Sequence, residues 1–359
     1  MKNLFALCLI LVAQNCWANM ASPYIDGSMS SAAFSSRNID VLKEKIRIVP
    51  NSDLQTALFH IEYTIQTDTG GIQIPLLFHA LDYSGGFTVW VDDQLVNVLP
   101  VPVDDQLVPK TLSSGFSNIF KGQHEVAIAW DEHYSDVYRI NDLKYFETML
   151  SKGTHRIVVE YKAKPWVNRQ QWVREYSFEY SLSPAKFWKS FGELEITVDA
   201  SHIDASTTTN LGNPASGSVD AVAVWKFDSL PGEKIQISCV PKIGASARML
   251  LNIGTTGITW CFAILAILLH FLLIRRYRKN HPQKKYSQAV IVGSILIPLA
   301  IVLFNWYAYD IIDNAIGIHA SSYRGYNFTI FLYPIVMPFY WIAAWLIDKA
   351  YKRNLQKTA

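Results

Sequence analysis

Cysteine is nearly absent from this 359-residue chain: Cys8, Cys16, Cys239 and Cys261 are all there is. The first two fall in a stretch that reads as a leader and the last in an apolar run. The region between them therefore keeps Cys239 alone and closes no internal disulfide. At about 230 residues it is large enough to bury a core without one. Cys239 lies on the apolar side of the alternating Ile235–Cys239 stretch, which predicts a buried thiol in preference to a reactive nucleophile.

An excess of one charge is missing too. The chain carries 32 Lys/Arg against 30 Asp/Glu, a net charge of +2. Residues 19–248 hold 20 basic and 27 acidic residues, and a mildly acidic domain argues against nucleic acid as a partner. Signature motifs are also lacking. There is no phosphate-binding loop, dinucleotide fingerprint or Gly-x-Ser-x-Gly elbow, and His124-Glu125 is followed by Val126 and Ala127 with no second histidine. Val91-Asp92-Asp93-Gln94-Leu95-Val96 recurs as Val103-Asp104-Asp105-Gln106-Leu107-Val108. Two short copies do not make a solenoid, and their four carboxylates lack the spacing of a calcium loop. Both copies read as turns, the first closing a hairpin between Val89 and Val96. No metal and no cofactor is expected.

What the chain does have is long apolar runs. Ile253–Ile274 carries no charge and is long enough to cross a hydrocarbon core, as are residues 287–307 and 328–347. Pro298, Pro334 and Pro338 fall inside the later two, which a bilayer tolerates where neighbouring helices satisfy the freed carbonyls. Six Lys/Arg and no acid occupy 275–285, and Lys349, Lys352, Arg353 and Lys357 follow the last run. The 308–327 connection holds only Arg324 against Asp310 and Asp313. Basic residues concentrate on the cytoplasmic side, so residues 275–286 and the tail 348–359 are expected inside and the large N-terminal region outside. Tyr307, Tyr309, Tyr323 and Tyr326 then gather at the outer interface. His270 and Asn305 are the notable polar residues of the spans and read as groups near helix ends. Gly254 and Gly257, with nearby threonines, read as a strip for close helix packing.

The N-terminus agrees with this topology. Lys2, the apolar Leu4–Ala13 stretch and a small residue at Ala18 make residues 1–18 a signal peptide, followed by a flexible tail over 19–38. Residues 39–248 then alternate with a period of two in many short runs. Phe59, Ile61, Tyr63 and Ile65 form one such set, Tyr176, Phe178, Tyr180 and Leu182 another, and Leu194, Ile196 and Val198 a third. Punctuation by Gly, Pro, Asp and Asn predicts a mainly β exported domain, one or two β-sandwich-like units, ahead of three transmembrane α-helices. Two segments depart from that pattern. Asp136–Leu150 fits a short helix about as well as a strand, and Ser201–Asp220 reads as a long mobile loop.

Candidate chemistry is sparse. Asp131, Glu132 and His133 form the densest group of proton-transfer residues and are the catalytic candidates, against the plainer reading of a solvated loop. Trp166, Arg169, Trp172 and Arg174 place large rings beside forked cations. They suit a ligand or partner surface, with inward packing ahead of the Tyr176–Leu182 strand as the equal alternative. The Tyr180-x-Leu182-x-Pro184-x-x-x-Trp188 stretch resembles exported bacterial β-domain proteins over a few dozen residues and transfers no site. Taken together the chain reads as a bacterial inner-membrane protein with a periplasmic domain and a cytoplasmic C-terminus. Its expected role is protein binding or assembly: the lipid bilayer and a membrane or periplasmic protein are the partners. The alternative is an envelope enzyme acting on glycan or another periplasmic substrate.

Overall fold

The structure is a computed structural model that describes residues 25–26, 33–34, 39–68, 70–79, 85–100, 119–121, 125–129, 135–139, 143–182, 189–322 and 329–358. The leader read at 1–18, most of the 19–38 tail, the second copy of the repeat, and Asp131, Glu132 and His133 lie outside these residues. The chain divides into two compact units, Met1–Lys242 and Ile243–Ala359.

The first unit is mainly β. Its largest sheet has eight strands in the spatial order Ser216–Gly217, Val222–Phe227, Ser190–Asp199, Ile39–Pro50, Ala57–Thr67, Gly153–Ala163, Thr88–Val91 and Gln94–Val96. All neighbours are antiparallel except Ser190–Asp199, which runs parallel to Ile39–Pro50. A five-stranded sheet orders Ile25–Asp26, Trp166–Asn168, Glu175–Ser181, Lys234–Pro241 and Ala205–Thr209. Among the described residues there are also smaller sheets of four and three strands.

Alternation explains why these segments are strands. Along Ala57–Thr67 every second residue is buried, so Phe59, Ile61, Tyr63 and Ile65 enter the core while Glu62 and Gln66 do not. These side chains share one apolar cluster with Ile157, Val159 and Tyr161 of the neighbouring strand, and with Phe178, Ile235 and Ile237 of the five-stranded sheet. Phe59 and Tyr161 stack with ring centroids 5.1 Å apart.

Ile39–Pro50 departs from strict alternation. Its register shifts between Val41 and Lys43, so Ile39 and Val41 point inward before the bulge and Glu44, Ile46 and Ile48 after it. Leu42, at the shift, is 41% exposed. Gly192 faces it across the parallel pair, where a Cβ would collide with the Leu42 carbonyl. The bulge and the bare backbone opposite thus require each other.

Two sequence expectations change here. Asp136–Leu150 is not a helix: Ser135–Arg139 and Leu143–Leu150 are strands, the latter paired antiparallel with Gly71–His79. The helical spacing lost to ladder pairing with a distant partner, information that a local pattern does not carry. Ser201–Asp220 is not a loop throughout. Ala205–Thr209 forms the edge of the five-stranded sheet against Lys234–Pro241, and Asp220 accepts a hydrogen bond from the Thr207 backbone at 2.8 Å. Threonine suits an edge strand, with Ala205 and Thr207 turned inward. Within the stretch read as a tail, Ile25–Asp26 pairs with Val167–Asn168 and Ala33–Phe34 with Leu77–Phe78.

The second unit is helical: α1 (Ala245–Asn280), α2 (Gln288–Ile316) and α3 (Tyr333–Thr358), the last preceded by a 3₁₀ turn at Thr329–Leu332. Three helices here are long and apolar enough to cross a membrane. Ser287 caps α2 by accepting from the Val290 N–H, and Gly317, with a φ of 97°, ends it. Pro334 stands in the first turn of α3, where no N–H is missed, while Pro298 and Pro338 interrupt helix interiors.

Candidate functional site

Three clusters of polar side chains stand out among the described residues. The first is Glu44, carried into the core by the bulge and only 3% exposed. Tyr180, from the five-stranded sheet, donates to Glu44 Oε1 at 2.9 Å, and its hydroxyl lies 2.7 Å from that of Tyr63. The Tyr63 hydroxyl thus lies within hydrogen-bonding reach of both Tyr180 and the Glu44 carboxyl, and every hydroxyl has a partner. Burial pushes the Glu44 carboxyl up to about 7, against the pull of the Tyr180 and Tyr63 hydrogen bonds. Burial likewise lifts both tyrosines well above the usual phenol range. The group binds and releases a proton near neutrality, but a carboxyl so enclosed is not placed to act on a substrate.

The second cluster has the residue types of a hydrolytic triad. His155 Nδ1 lies 2.6 Å from Asp92 Oδ2, and the Ser151 hydroxyl lies 3.5 Å from His155 Nε2. Its geometry is wrong for a nucleophile. Nε2 is closer to the Ser151 backbone carbonyl, at 2.8 Å, and a carbonyl only accepts, so Nε2 carries a proton and is not a base for the hydroxyl. With both ring nitrogens donating, the imidazolium is a clamp. Burial works against its charge, but the Asp92 carboxylate and the Ser151 carbonyl outweigh burial and raise its pKa. Asp92 is held below the usual range because the Arg156 N–H and His155 outweigh its burial. Asp92 and Asp93 have φ of 48° and 64°, the left-handed pair that a two-residue hairpin requires. They join Thr88–Val91 to Gln94–Val96 with Val89 opposite Val96, the hairpin expected from the sequence. His155 and Arg156, of the neighbouring strand, thereby anchor the turn.

The third cluster ties the helices together in layers. Asn305 donates to Thr259 at 3.0 Å and accepts from Thr329 at 3.0 Å. His270, 2% exposed, lies 3.0 Å from the Ala289 carbonyl through Nε2 and 2.7 Å from the Tyr340 hydroxyl through Nδ1. The carbonyl fixes the proton on Nε2, so Tyr340 donates to Nδ1. The ring sits over Gly293, where any Cβ would strike it. At the α1 C-terminus Arg278 donates from Nε to Asp348 at 2.6 Å and from Nη1 to the Lys284 carbonyl at 2.7 Å. His270 is therefore bonded between helices, and a close helix approach lies at Gly293. Nothing local in the sequence marks either, because the contact depends on which helix faces pack.

Of the candidate residues from sequence, Trp166, Arg169, Trp172 and Arg174 share one hairpin. Trp166–Asn168 pairs with Glu175–Ser181, and all four side chains are half-buried. Asn168 organises the turn, accepting from the Gln170 N–H at 2.9 Å. Gly254, with a φ of 69°, breaks the helical backbone of α1, and the space where its Cβ would lie is open. A Cβ on Gly257 would meet Ile253 of the same helix. Cys239 is fully buried, and burial pushes its thiol up to about 12.

Comparison with solved structures gives weak likenesses. A candidate nutrient-binding protein of Legionella pneumophila matches at 15% identity over 61% of this chain and 71% of its own, with a TM-score of 0.38. A zinc metallopeptidase of the M1 class from Deinococcus radiodurans matches at 11% identity over 57% of this chain and 43% of its own, with a TM-score of 0.29. The yeast LTA4 hydrolase matches at 8% identity over 65% and 34%, with a TM-score of 0.35. At these scores the likeness carries no argument about function. No family model matches the chain, and no curated protein does.

Proposed function

We propose that this chain is an inner-membrane binding or assembly component of a bacterial envelope. In this reading its β-sandwich-like domain recognises a partner in the periplasm, and its helices anchor it with the C-terminus in the cytoplasm. The observation that carries the reading is the character of the helical unit. Its spans are apolar and little buried, with only 6% of the most apolar stretch of the third helix enclosed. His270 and Arg278 are bonded between helices. Such helices offer their outer faces to lipid and to another membrane subunit. They support an anchor better than a solute path, which would keep polar groups along a cavity.

The basic residues at 275–285 and in the tail support the orientation. For the recognition surface, the half-buried hairpin with Trp166, Arg169, Trp172 and Arg174 supplies ring faces and cations in one place. A protein partner is the primary ligand of this reading, and a glycan platform its variant. On the membrane side, Gly254 and Gly257 are the proposed helix-packing residues, with open space for a neighbouring subunit at Gly254 and the Ile253 side chain beside Gly257.

The test is a crosslinked pull-down from native membranes with full-length protein and with residues 19–248 alone. A partner held only by the full-length chain supports assembly through the helices. One held by the soluble region supports recognition there. Recovery of no specific partner by either would sink the proposal.

A further inference from the structure

Gly254 divides α1 into two parts with different tasks. Its φ of 69° and ψ of 167° are non-helical, and the positive φ is one that glycine adopts without strain. Beyond it, the uncharged residues 255–274 number about 20, or about 30 Å at 1.5 Å each, which matches a hydrocarbon core of about 30 Å. That part alone is long enough to cross a bilayer. The Ala245–Ile253 part, about nine residues, is not needed for crossing, and it has two unlike faces. Arg248 and Asn252 stand one turn apart on one face; Met249 and Ile253 stand one turn apart beside them. Met249 is 66% exposed and Ile253 41%. The Arg248 guanidinium turns back toward the helix start, donating to the Ile243 carbonyl at 3.2 Å. A short helix with exposed apolar side chains beside a polar stripe, one residue from a span, has the boundary between headgroups and acyl chains within immediate reach.

We propose that Ala245–Ile253 is an interfacial helix. It lies along the bilayer surface with Met249 and Ile253 at the acyl boundary, and with Arg248 and Asn252 toward phosphates and water. Gly254 is the turn by which the chain passes from the surface into the span. The inference rests on the membrane reading above, and the experiment separates the two.

Full-length protein carrying Cys8→Ala, Cys16→Ala and Cys261→Ala would be reconstituted in vesicles of phosphatidylethanolamine and phosphatidylglycerol. Nitroxide labels would be placed through Arg248→Cys, Met249→Cys, Asn252→Cys, Ile253→Cys and Leu265→Cys in turn. Cys239 is fully buried and stays unlabelled. Collision with oxygen, which partitions into lipid, is compared with collision with a water-soluble nickel chelate. The expected result is oxygen-favoured, shallow signals at 249 and 253, chelate-favoured signals at 248 and 252, and a deep signal at 265. Chelate-favoured signals at all four positions, with 265 deep, would mean that the helix projects into solution. Deep signals at all four would mean one continuous span. Either outcome overturns the interfacial helix and leaves the membrane reading standing. An aqueous signal at 265 overturns both.

Discussion

Raising the pH from about 5 to about 8 should destabilise the β unit through a single carboxyl group. Glu44 has an ordinary pKa of 4.5 in the unfolded chain and about 7 in the folded one, because burial disfavours its charge more than the Tyr180 and Tyr63 hydrogen bonds favour it. The folded state therefore holds the proton to higher pH. Between those two values the unfolded chain releases its proton first, and each further rise in pH favours unfolding. At about 1.4 kcal/mol per pH unit, the interval of about 2.5 units corresponds to a loss of about 3 kcal/mol, complete just above neutrality. That is a sizeable part of the 5–15 kcal/mol typical of a domain. Glu44→Gln keeps an acceptor for Tyr180 and removes the titration. Denaturant unfolding of the full-length protein in detergent, followed by tryptophan fluorescence, reports the unit because Trp225 is buried in it. The variant should match the parent within about 1 kcal/mol at pH 5 and exceed it by about 2–3 kcal/mol at pH 8. Because the variant is compared with its parent at each pH, the contribution of His155 cancels. A difference that is the same at both pH values would refute the reasoning, since it would show that Glu44 does not change protonation across neutrality in the folded state.

The His155 clamp should add a second loss in the same direction. Its folded pKa lies above the ordinary 6.5, so its stabilisation is present below that value and disappears as pH rises through the folded one. Asp92→Asn should cost stability at pH 6 and much less at pH 9, measured by denaturant midpoint. The Arg278 and Asp348 pair predicts non-additivity: either Arg278→Met or Asp348→Leu alone should cost about 3–5 kcal/mol by stranding a buried charge. The double variant should recover most of that loss in detergent thermal melts. Gly293→Leu should displace the His270 ring from Ala289 and Tyr340, lowering the melting temperature of the helical unit more than Gly257→Leu does. Paired reporter fusions at the C-terminus should be active only for the cytoplasmic reporter; activity of an export-dependent one would reverse the orientation.

Some of this architecture was legible in residue order because its causes are local. Alternation along Ala57–Thr67 marks a strand whatever it pairs with, since side chains on a pleat face opposite ways. Two acidic residues between Val91 and Gln94 form a hairpin turn because their own backbone adopts the left-handed conformation. Three uncharged runs of spanning length are helices long and apolar enough to cross a membrane, a property of length and composition that residue order carries by itself. Other features were decided only by what lies far away in the chain. Glu44 occupies a core position because the register shifts at Leu42 and because Tyr180, 136 residues later, supplies a hydroxyl. Leu143–Leu150 is a strand because Gly71–His79 offers it a ladder. His155 is a clamp and not a base because the Ser151 carbonyl comes closer than the Ser151 hydroxyl, a difference of less than an ångström. Gly254 turns the backbone while Gly293 accepts a neighbouring ring, although each is simply a glycine in an apolar stretch. Residue order determined most of the strands and the three long apolar helices, because backbone conformation and hydration act over a few residues. Tertiary structure decided which polar groups meet and which are buried, because those contacts join segments that only folding brings together.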